Sequence, residues 1–187
     1  MKEVIAMLSV VLIAAVSGCG DQNPAEITGE TLDQHIEEIL TEEKQIEDVF
    51  RGAGLPTSPN AEYIPDENNQ CFVPVTDEAW DMVEELKEKT ECIFTAEYAQ
   101  ENFYAEAFHE DYARYKEIDG KLCIDIGIGG ALDKEWNLGS MEVLEETQQS
   151  ITATVDYKNY DSVRTAVIVF EKTEQGLRIN EMSDLQG

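Results

Sequence analysis

The chain has 187 residues, of which 42% are hydrophobic, and this is enough to bury the core of one domain of ordinary size. Its 13 Lys and Arg residues are outnumbered by 40 Asp and Glu residues, so the net charge at pH 7 is −27. Such an excess of acid argues against binding to nucleic acid and against attraction to an anionic membrane by charge alone. It favours either a cationic partner or an acidic surface that only keeps the protein soluble.

The N-terminus has the pattern of a lipoprotein signal peptide. The apolar run from Val4 to Val16 is too short for a permanent transmembrane helix. It ends in Val16-Ser17-Gly18-Cys19, which resembles the bacterial lipobox, whose cysteine is diacylated, with palmitate a typical acyl chain. We expect residues 1–18 to be removed and the protein to be held by Cys19 at the extracytoplasmic face of the cell membrane. The alternative is an ordinary secretory peptide that ends in a cysteine by chance.

Cysteine and histidine give little indication of chemistry. After Cys19, the cysteines are Cys71, Cys92 and Cys123. A bridge between Cys71 and Cys92 and three buried free thiols are both compatible with the sequence. No Cys or His spacing is typical of a zinc site, and both histidines, at positions 35 and 109, stand alone, so neither a metal nor a cofactor is expected.

The first half of the mature chain is predicted to be mainly helical. Residues 19–30 are polar and indicate a flexible tether. A helix over 31–51 follows, with a Thr31 and Gln34 capping box and an apolar stripe at helical spacing. Its acidic residues are expected to face water: Asp33, Glu37, Glu38, Glu42, Glu43, Glu47 and Asp48. Further helices are predicted over 77–90 and 96–107, with short strands near 63–64 and 71–73.

After residue 111 the pattern changes to strands. Asp119-Gly120 predicts a type I′ hairpin between strands over 112–118 and 121–128, because both central residues of that turn need a positive φ. Strands over 140–146, 151–157, 163–172 and 177–182 then form an antiparallel meander. We therefore predict a single α+β domain over 31–187, with a helical part at 31–110 and a sheet part at 111–187.

No motif for catalysis is present. The chain lacks GxSxG, HExxH and SxxK sequences, and neither histidine has the surroundings of a Cys-His nucleophile. The glycine cluster Gly127-Ile128-Gly129-Gly130 lacks the Lys-Ser/Thr pair and the helix of a phosphate-binding loop, so an exposed flexible loop is expected there. We predict that the protein is not an enzyme.

Several segments together resemble the IseA family over about residues 31–182. They are an acidic opening helix, Tyr63, FVPVTDEAWDMVEEL at 72–86, Ile93-Phe94-Thr95 before a helix, the DGKL turn at 119–122, Gly129-Gly130 and a meander ending in GLRI. Members of that family are secreted inhibitors of peptidoglycan DL-endopeptidases. The resemblance implies a bilobed α+β fold, no catalytic machinery, and a cleft between a helical and a sheet lobe that engages an NlpC-type cysteine hydrolase.

The first functional hypothesis is therefore a lipoprotein that binds and inhibits or regulates such a cell-wall hydrolase, as a monomer and without nucleic acid. The expected contact is the loop from Gly127 to Trp136. Its proposed contact residues are Gly129, Gly130, the charges Asp133 and Glu135, and Trp136 as an aromatic anchor. Tyr63 and Asp66 are expected on the opposite wall of the cleft. The alternative for Trp136 is a core residue that closes the end of the sheet.

A second hypothesis is a non-catalytic lipoprotein that binds a small ligand or peptide. In that case the sheet and helices form a cystatin-like or nuclear-transport-factor-like cone around an apolar pocket lined by Trp80, Phe103, Ile126 and Phe170. A structural or signalling lipoprotein with another envelope partner is a third.

Overall fold

The structure is a computed structural model that describes residues 29–77 and 79–185, with Gly29 and Glu30 described by their backbone only. The predicted signal peptide, the lipidation site Cys19 and the predicted tether up to residue 28 lie outside the described residues. Within the described part, no helix has the length and apolar character needed to cross a bilayer.

The first helix, α1, spans Gly29–Arg51. Its predicted apolar stripe is buried: Ile36, Ile39, Leu40, Ile46, Val49 and Phe50. Leu32 is buried on the same helix as well. The helix ends where the amides of Gly52 and Gly54 donate to Asp48 O at 2.9 and 3.1 Å. Gly54 has a φ of 80°, which favours glycine after a helix end.

A four-stranded sheet follows, formed by β1 (Ile64–Pro65), β2 (Cys71–Pro74), β3 (Tyr115–Ile118) and β4 (Lys121–Asp125) in the order β1-β2-β4-β3. The predicted hairpin turn between β3 and β4 is confirmed, because Asp119 and Gly120 have φ values of 52° and 74°. β4 ends at Asp125, before the glycines that the sequence placed at the end of this strand.

Two helical segments lie between β2 and β3. The helix α2 spans Val83–Glu91 and starts later than predicted, because Glu85 accepts hydrogen bonds from the amides of Asp81 and Met82 and so sets the start there. The predicted third helix is capped by Thr95 and contains a π-helical turn: α3 covers Ala96–Ala99, the π turn Gln100–Tyr104 and α4 Ala105–Ala107.

The C-terminal part is the predicted meander. It consists of β5 (Lys134–Glu146), β6 (Ser150–Asn159), β7 (Ser162–Thr173) and β8 (Gly176–Asp184), paired antiparallel in chain order. β5 begins earlier than predicted and carries two register shifts that bend it. One face of the sheet is buried, with α1 packed on β5 and the start of the third helix on β8. The alternation of buried and less buried residues is clearest in β6, where Ile151, Ala153 and Val155 are fully buried.

One hydrophobic cluster contains residues of both parts, including Leu40 of α1, Leu86 of α2, Tyr115 of β3 and Ile168 of β7. The chain segment before α3 also pairs with β8, since Ile179 N donates to Ile93 O at 2.8 Å and Thr95 N donates to Ile179 O at 2.9 Å. Helices packed with a C-terminal antiparallel meander confirm the predicted α+β class.

The cysteines differ from both expectations. Cys71 and Cys123 carry free thiols, so the Cys71–Cys92 bridge does not form. Cys123 is buried, and burial raises the pKa of its thiol. Cys71 is exposed on β2, so it is not a buried thiol either.

Candidate functional site

The glycine loop, residues 126–133, connects β4 to β5 and is exposed along most of its length. Three of the predicted contact residues lie in it, and all three are exposed: Gly129, Gly130 and Asp133. Gly127, where the predicted contact loop begins, is exposed as well. The loop lies at the surface, as the sequence predicted.

Arg114 anchors this loop to the end of α1. Its side chain is 2% exposed and donates from Nε to Val49 O at 3.2 Å, from Nη2 to Gly52 O at 2.7 Å, and from Nη1 to Ile128 O. A cation at the C-terminal carbonyls of a helix is favoured by the helix dipole. A Cβ atom on Gly129 would collide with the Arg114 guanidinium, and residues with a side chain rarely adopt its φ of 134°, so this position favours glycine. The loop is therefore held in place at its centre.

A second network holds the start of the loop. Asp125 accepts hydrogen bonds from Gly127 N through Oδ1 and from Gln70 Nε2 through Oδ2, both at 2.8 Å. Gln70 in turn belongs to the turn after β1, where its amide donates to Asp66 Oδ1 at 3.0 Å. The turn at 66–70 and the glycine loop are thus joined through the half-buried Gln70 and the buried Asp125.

Asp66 has a structural role in that turn. It also accepts from Asn68 N at 2.8 Å and from Lys116 Nζ at 3.3 Å. Burial alone would raise the pKa of Asp66, but the hydrogen bonds from Gln70, Asn68 and Lys116 outweigh it and hold the pKa below its usual value. Since both carboxylate oxygens bind groups of the same protein, Asp66 stabilises the turn and is not a free contact residue on the wall of a cleft. Tyr63, in contrast, is 61% exposed.

Trp136 does not lie in the loop. It belongs to β5, is half-buried, and donates its indole N–H to Glu43 Oε2 at 2.8 Å. Its ring centroid lies 5.3 Å from that of Tyr157 on β6. The structure therefore supports the alternative in which Trp136 closes the end of the sheet, and it removes Trp136 as an exposed anchor. Glu135 is exposed, as a contact residue requires.

Tyr160, in the turn between β6 and β7, packs on the glycine loop and was missed from the sequence. Its amide donates to Asp133 O at 3.1 Å and its hydroxyl to Ala131 O at 2.8 Å, while 57% of the residue stays exposed. Its φ of 53° is rare for a bulky residue. The only signal in the sequence is the position of Tyr160 in a predicted turn, which does not indicate a contact with residues 131–133.

A buried ionic cluster lies where the loop enters β5. Lys134 Nζ is 2.7 Å from Glu43 Oε1 and 2.8 Å from Glu47 Oε2, and Arg51 Nη1 lies 3.2 Å from the other Glu47 oxygen. Glu43 is 1% and Lys134 6% exposed, so the prediction that Glu43 faces water is wrong. Glu47 is also mostly covered. Burial raises the pKa of Glu43 to about 7, against the opposing charge of Lys134.

We expect the stability of the protein to fall between about pH 5 and pH 8 because of Glu43. The folded state keeps a proton on this carboxyl up to about pH 7, whereas the unfolded chain releases it near 4.5. The stabilisation that Glu43 contributes is therefore complete below pH 4.5 and is lost as the pH rises through 7. The full loss is about 3 kcal/mol. About 2 kcal/mol of this loss falls between pH 5.5 and pH 8.0, and urea unfolding at these two pH values measures it.

The matched variants are Glu43→Gln and Asp33→Asn. Glutamine at 43 resembles the protonated carboxyl, so the fall in stability between the two pH values should shrink. Asp33 is exposed on α1, and its replacement should leave the pH dependence unchanged. An unchanged pH dependence in Glu43→Gln contradicts the assignment. The pKa values of Asp66 and Asp184 are lowered, so these groups act below this range.

The four residues of the alternative pocket do not share one surface. Phe103 and Phe170 belong to the packed core, Trp80 lies against it, and Ile126 is 52% exposed. A depression beside Phe103 has an interior of about 20 Å³, room for about one water molecule. Its lining includes Arg51, Arg114 and Ile128. In the part of the chain that the structure describes, no three His, Cys, Asp or Glu side chains are placed to hold a metal ion.

No family model, no curated protein and no solved structure matches this chain. The resemblance to the IseA family therefore rests on the sequence segments quoted above alone.

Proposed function

We propose that the protein is a membrane-anchored extracytoplasmic lipoprotein that binds and inhibits peptidoglycan DL-endopeptidases of the NlpC type. The observation that carries the proposal is the glycine loop, which is exposed yet fastened by Arg114 to the end of α1. A loop held in its bound conformation loses little entropy when it enters the groove of a partner, and this preorganisation favours an inhibitor.

The charge of the protein supports the same class of partner. Asp133 and Glu135 are exposed at the loop and at the start of β5, in a chain of net charge −27. A hydrolase that binds the anionic polymers of the cell wall presents a basic surface, and complementary charge accelerates encounter and sets orientation.

The test is the release of DL-endopeptidase products from purified muropeptides by an NlpC-type hydrolase, with and without the purified full chain. Stoichiometric inhibition supports the proposal. Undiminished release with several such hydrolases from the same source contradicts it.

Reversing the loop charges is expected to weaken binding of the hydrolase in a salt-dependent way. For Asp133→Lys with Glu135→Lys we expect about tenfold weaker binding at about 10 mM salt and a much smaller effect at about 0.5 M, because salt screens exposed charges. Titration calorimetry at both salt concentrations measures the two dissociation constants.

The control changes the net charge equally, through Asp33→Lys with Glu38→Lys on the exposed face of α1. It should bind as the wild type does, apart from a small general effect of charge. Equal weakening of the loop variant at low and high salt would contradict the electrostatic part of the proposal.

A further inference from the structure

An exposed apolar patch lies at one end of the first sheet and consists of Tyr63, Pro65, Cys71 and Ile126. Pro65 pairs with Cys71, and the register Phe72–Asp125, continued by one residue, sets Cys71 beside Ile126. Residues that lie opposite each other on neighbouring strands share a face, and Tyr63 precedes Pro65 by two positions. Tyr63 directly precedes β1, and Ile126 lies in the turn directly after β4. The strand register, continued by one residue at these two ends, places the four residues next to one another on one face.

The same face is core further along the sheet. Val73 and Ile124, the next residues of this face on β2 and β4, are 3% and 1% exposed. Tyr63 and Ile126 are 61% and 52% exposed, and Pro65 and Cys71 are exposed as well. The apolar face thus continues beyond the part that α1 and the helices cover. Adjacent exposed apolar side chains of this kind are typical of interaction sites.

Hydrogen bonds of Gln70 and Asp66 fix the backbone next to the patch. Gln70 Nε2 donates both to Asp125 Oδ2 at 2.8 Å and to Ala113 O at 3.0 Å, and so ties the turn after β1 to β3 and β4. Asp66 holds that turn through three hydrogen bonds. The surface beside the glycine loop is therefore preformed, which lowers the entropic cost of binding.

The rim of the patch is acidic. Glu62 and Glu67 flank β1 and are exposed. The ion pairs found within the described residues include neither of them. An apolar centre with free carboxylates around it fits a partner segment that carries Lys or Arg around an apolar side chain. A second copy of this chain is disfavoured, because two such rims would repel each other.

We propose that this patch, next to the glycine loop, is a docking surface for a basic, apolar segment of the cell-wall hydrolase. The inference rests on the proposed function and extends the contact from the glycine loop to the sheet. Tyr63 and Ile126 supply most of the apolar contact area, and Glu62 and Glu67 meet the cations at its edge.

The first experiment compares variants of the full chain in inhibition of the NlpC-type hydrolase. Tyr63→Ser with Ile126→Ser removes the apolar centre, and we expect at least tenfold weaker inhibition. The matched control is Leu144→Ser with Val163→Ser, which removes exposed apolar side chains from the second sheet. The control should inhibit as the wild type does.

The second experiment uses Cys71 as a native reporter in the wild-type protein. Its free thiol is exposed in the patch, whereas that of Cys123 is buried. We expect saturating hydrolase, with its catalytic cysteine blocked, to slow alkylation of Cys71 by iodoacetamide more than tenfold, as followed on the Cys71 peptide by mass spectrometry. Cys123 should react slowly with and without the hydrolase.

The outcomes separate the two proposals. If the wild type inhibits no hydrolase, the proposed function fails and the docking surface with it. If the wild type inhibits, but the patch variant inhibits equally well and Cys71 stays reactive in the complex, the docking surface alone is wrong. Sedimentation of the wild type as a dimer, with the patch variant monomeric, would assign the patch to a second copy and also overturn the inference.

Discussion

Replacing Lys134 by methionine is expected to lower the free energy of unfolding by about 3–5 kcal/mol, the largest single effect we expect in this protein. The side chain is nearly buried and lies within 2.8 Å of an oxygen of both Glu43 and Glu47. Methionine keeps most of the volume but leaves two carboxylates of α1 without their shared cation. Glu43, hydrogen-bonded only to Trp136 on that side, would then take up a proton more readily.

Urea unfolding at pH 7 measures the loss, and two variants control it. Lys158→Met removes an exposed lysine from β6 and should change stability by less than about 0.5 kcal/mol. Adding Glu43→Gln to Lys134→Met should recover part of the loss, because glutamine is neutral at pH 7 without the cost of taking up a proton. A loss below about 1 kcal/mol in Lys134→Met would show that Lys134 does not stabilise the carboxylates of Glu43 and Glu47.

Arg114→Met is expected to cost about 3 kcal/mol and to loosen the glycine loop. Its guanidinium makes three charge-assisted hydrogen bonds to carbonyl oxygens, two at the end of α1 and one in the loop. Each buried carbonyl that loses a donor costs about 1–3 kcal/mol unless water replaces it. Urea unfolding gives the global effect. Hydrogen exchange at Gly130 N, which donates to Gly52 O at 3.3 Å, reports the local one.

The control for Arg114 is Arg164→Met. Arg164 pairs with Asp184 at 2.9 Å, but both side chains are about half exposed, so the expected cost is below about 1 kcal/mol. If Arg114→Met left exchange at Gly130 unchanged, the loop would not depend on Arg114, and the preorganisation argued for the proposed function would fail.

Elements defined by local pattern were predictable. The stripe of α1 repeats at helical spacing, Asp119-Gly120 is specific to one turn type, and β6 alternates strictly, so each was found from neighbouring residues alone. Helix boundaries that are set by side chains outside such a pattern were not predictable. α2 starts at Val83 because Glu85 turns back to two amides, and the π turn inside the third helix has no signal in the sequence.

The candidate site was predictable only in part. Exposure of the glycine loop followed from its composition, and Tyr63, which was predicted on the wall of a cleft, is exposed. The sequence left open whether Trp136 is an anchor or a core residue, because its partner Glu43 lies 93 residues away and looks like one of many surface carboxylates of α1. The roles of Arg114 and Tyr160 could not be predicted for the same reason. Each side chain donates a hydrogen bond to a carbonyl oxygen far away in the sequence.

The sequence by itself determined the α+β class, the order of helices and strands and the acidic surface, since these follow from periodicity, turn residues and composition. The tertiary structure decided which of the many carboxylates are buried, which cation compensates them, and which apolar residues stay exposed. The physical reason is that burial and charge pairing are set by contacts between residues far apart in the chain. A pattern read along the chain assigns every acidic residue of a helix to water, whereas the sheet packed against α1 brings Lys134 to Glu43 and places both in the interior.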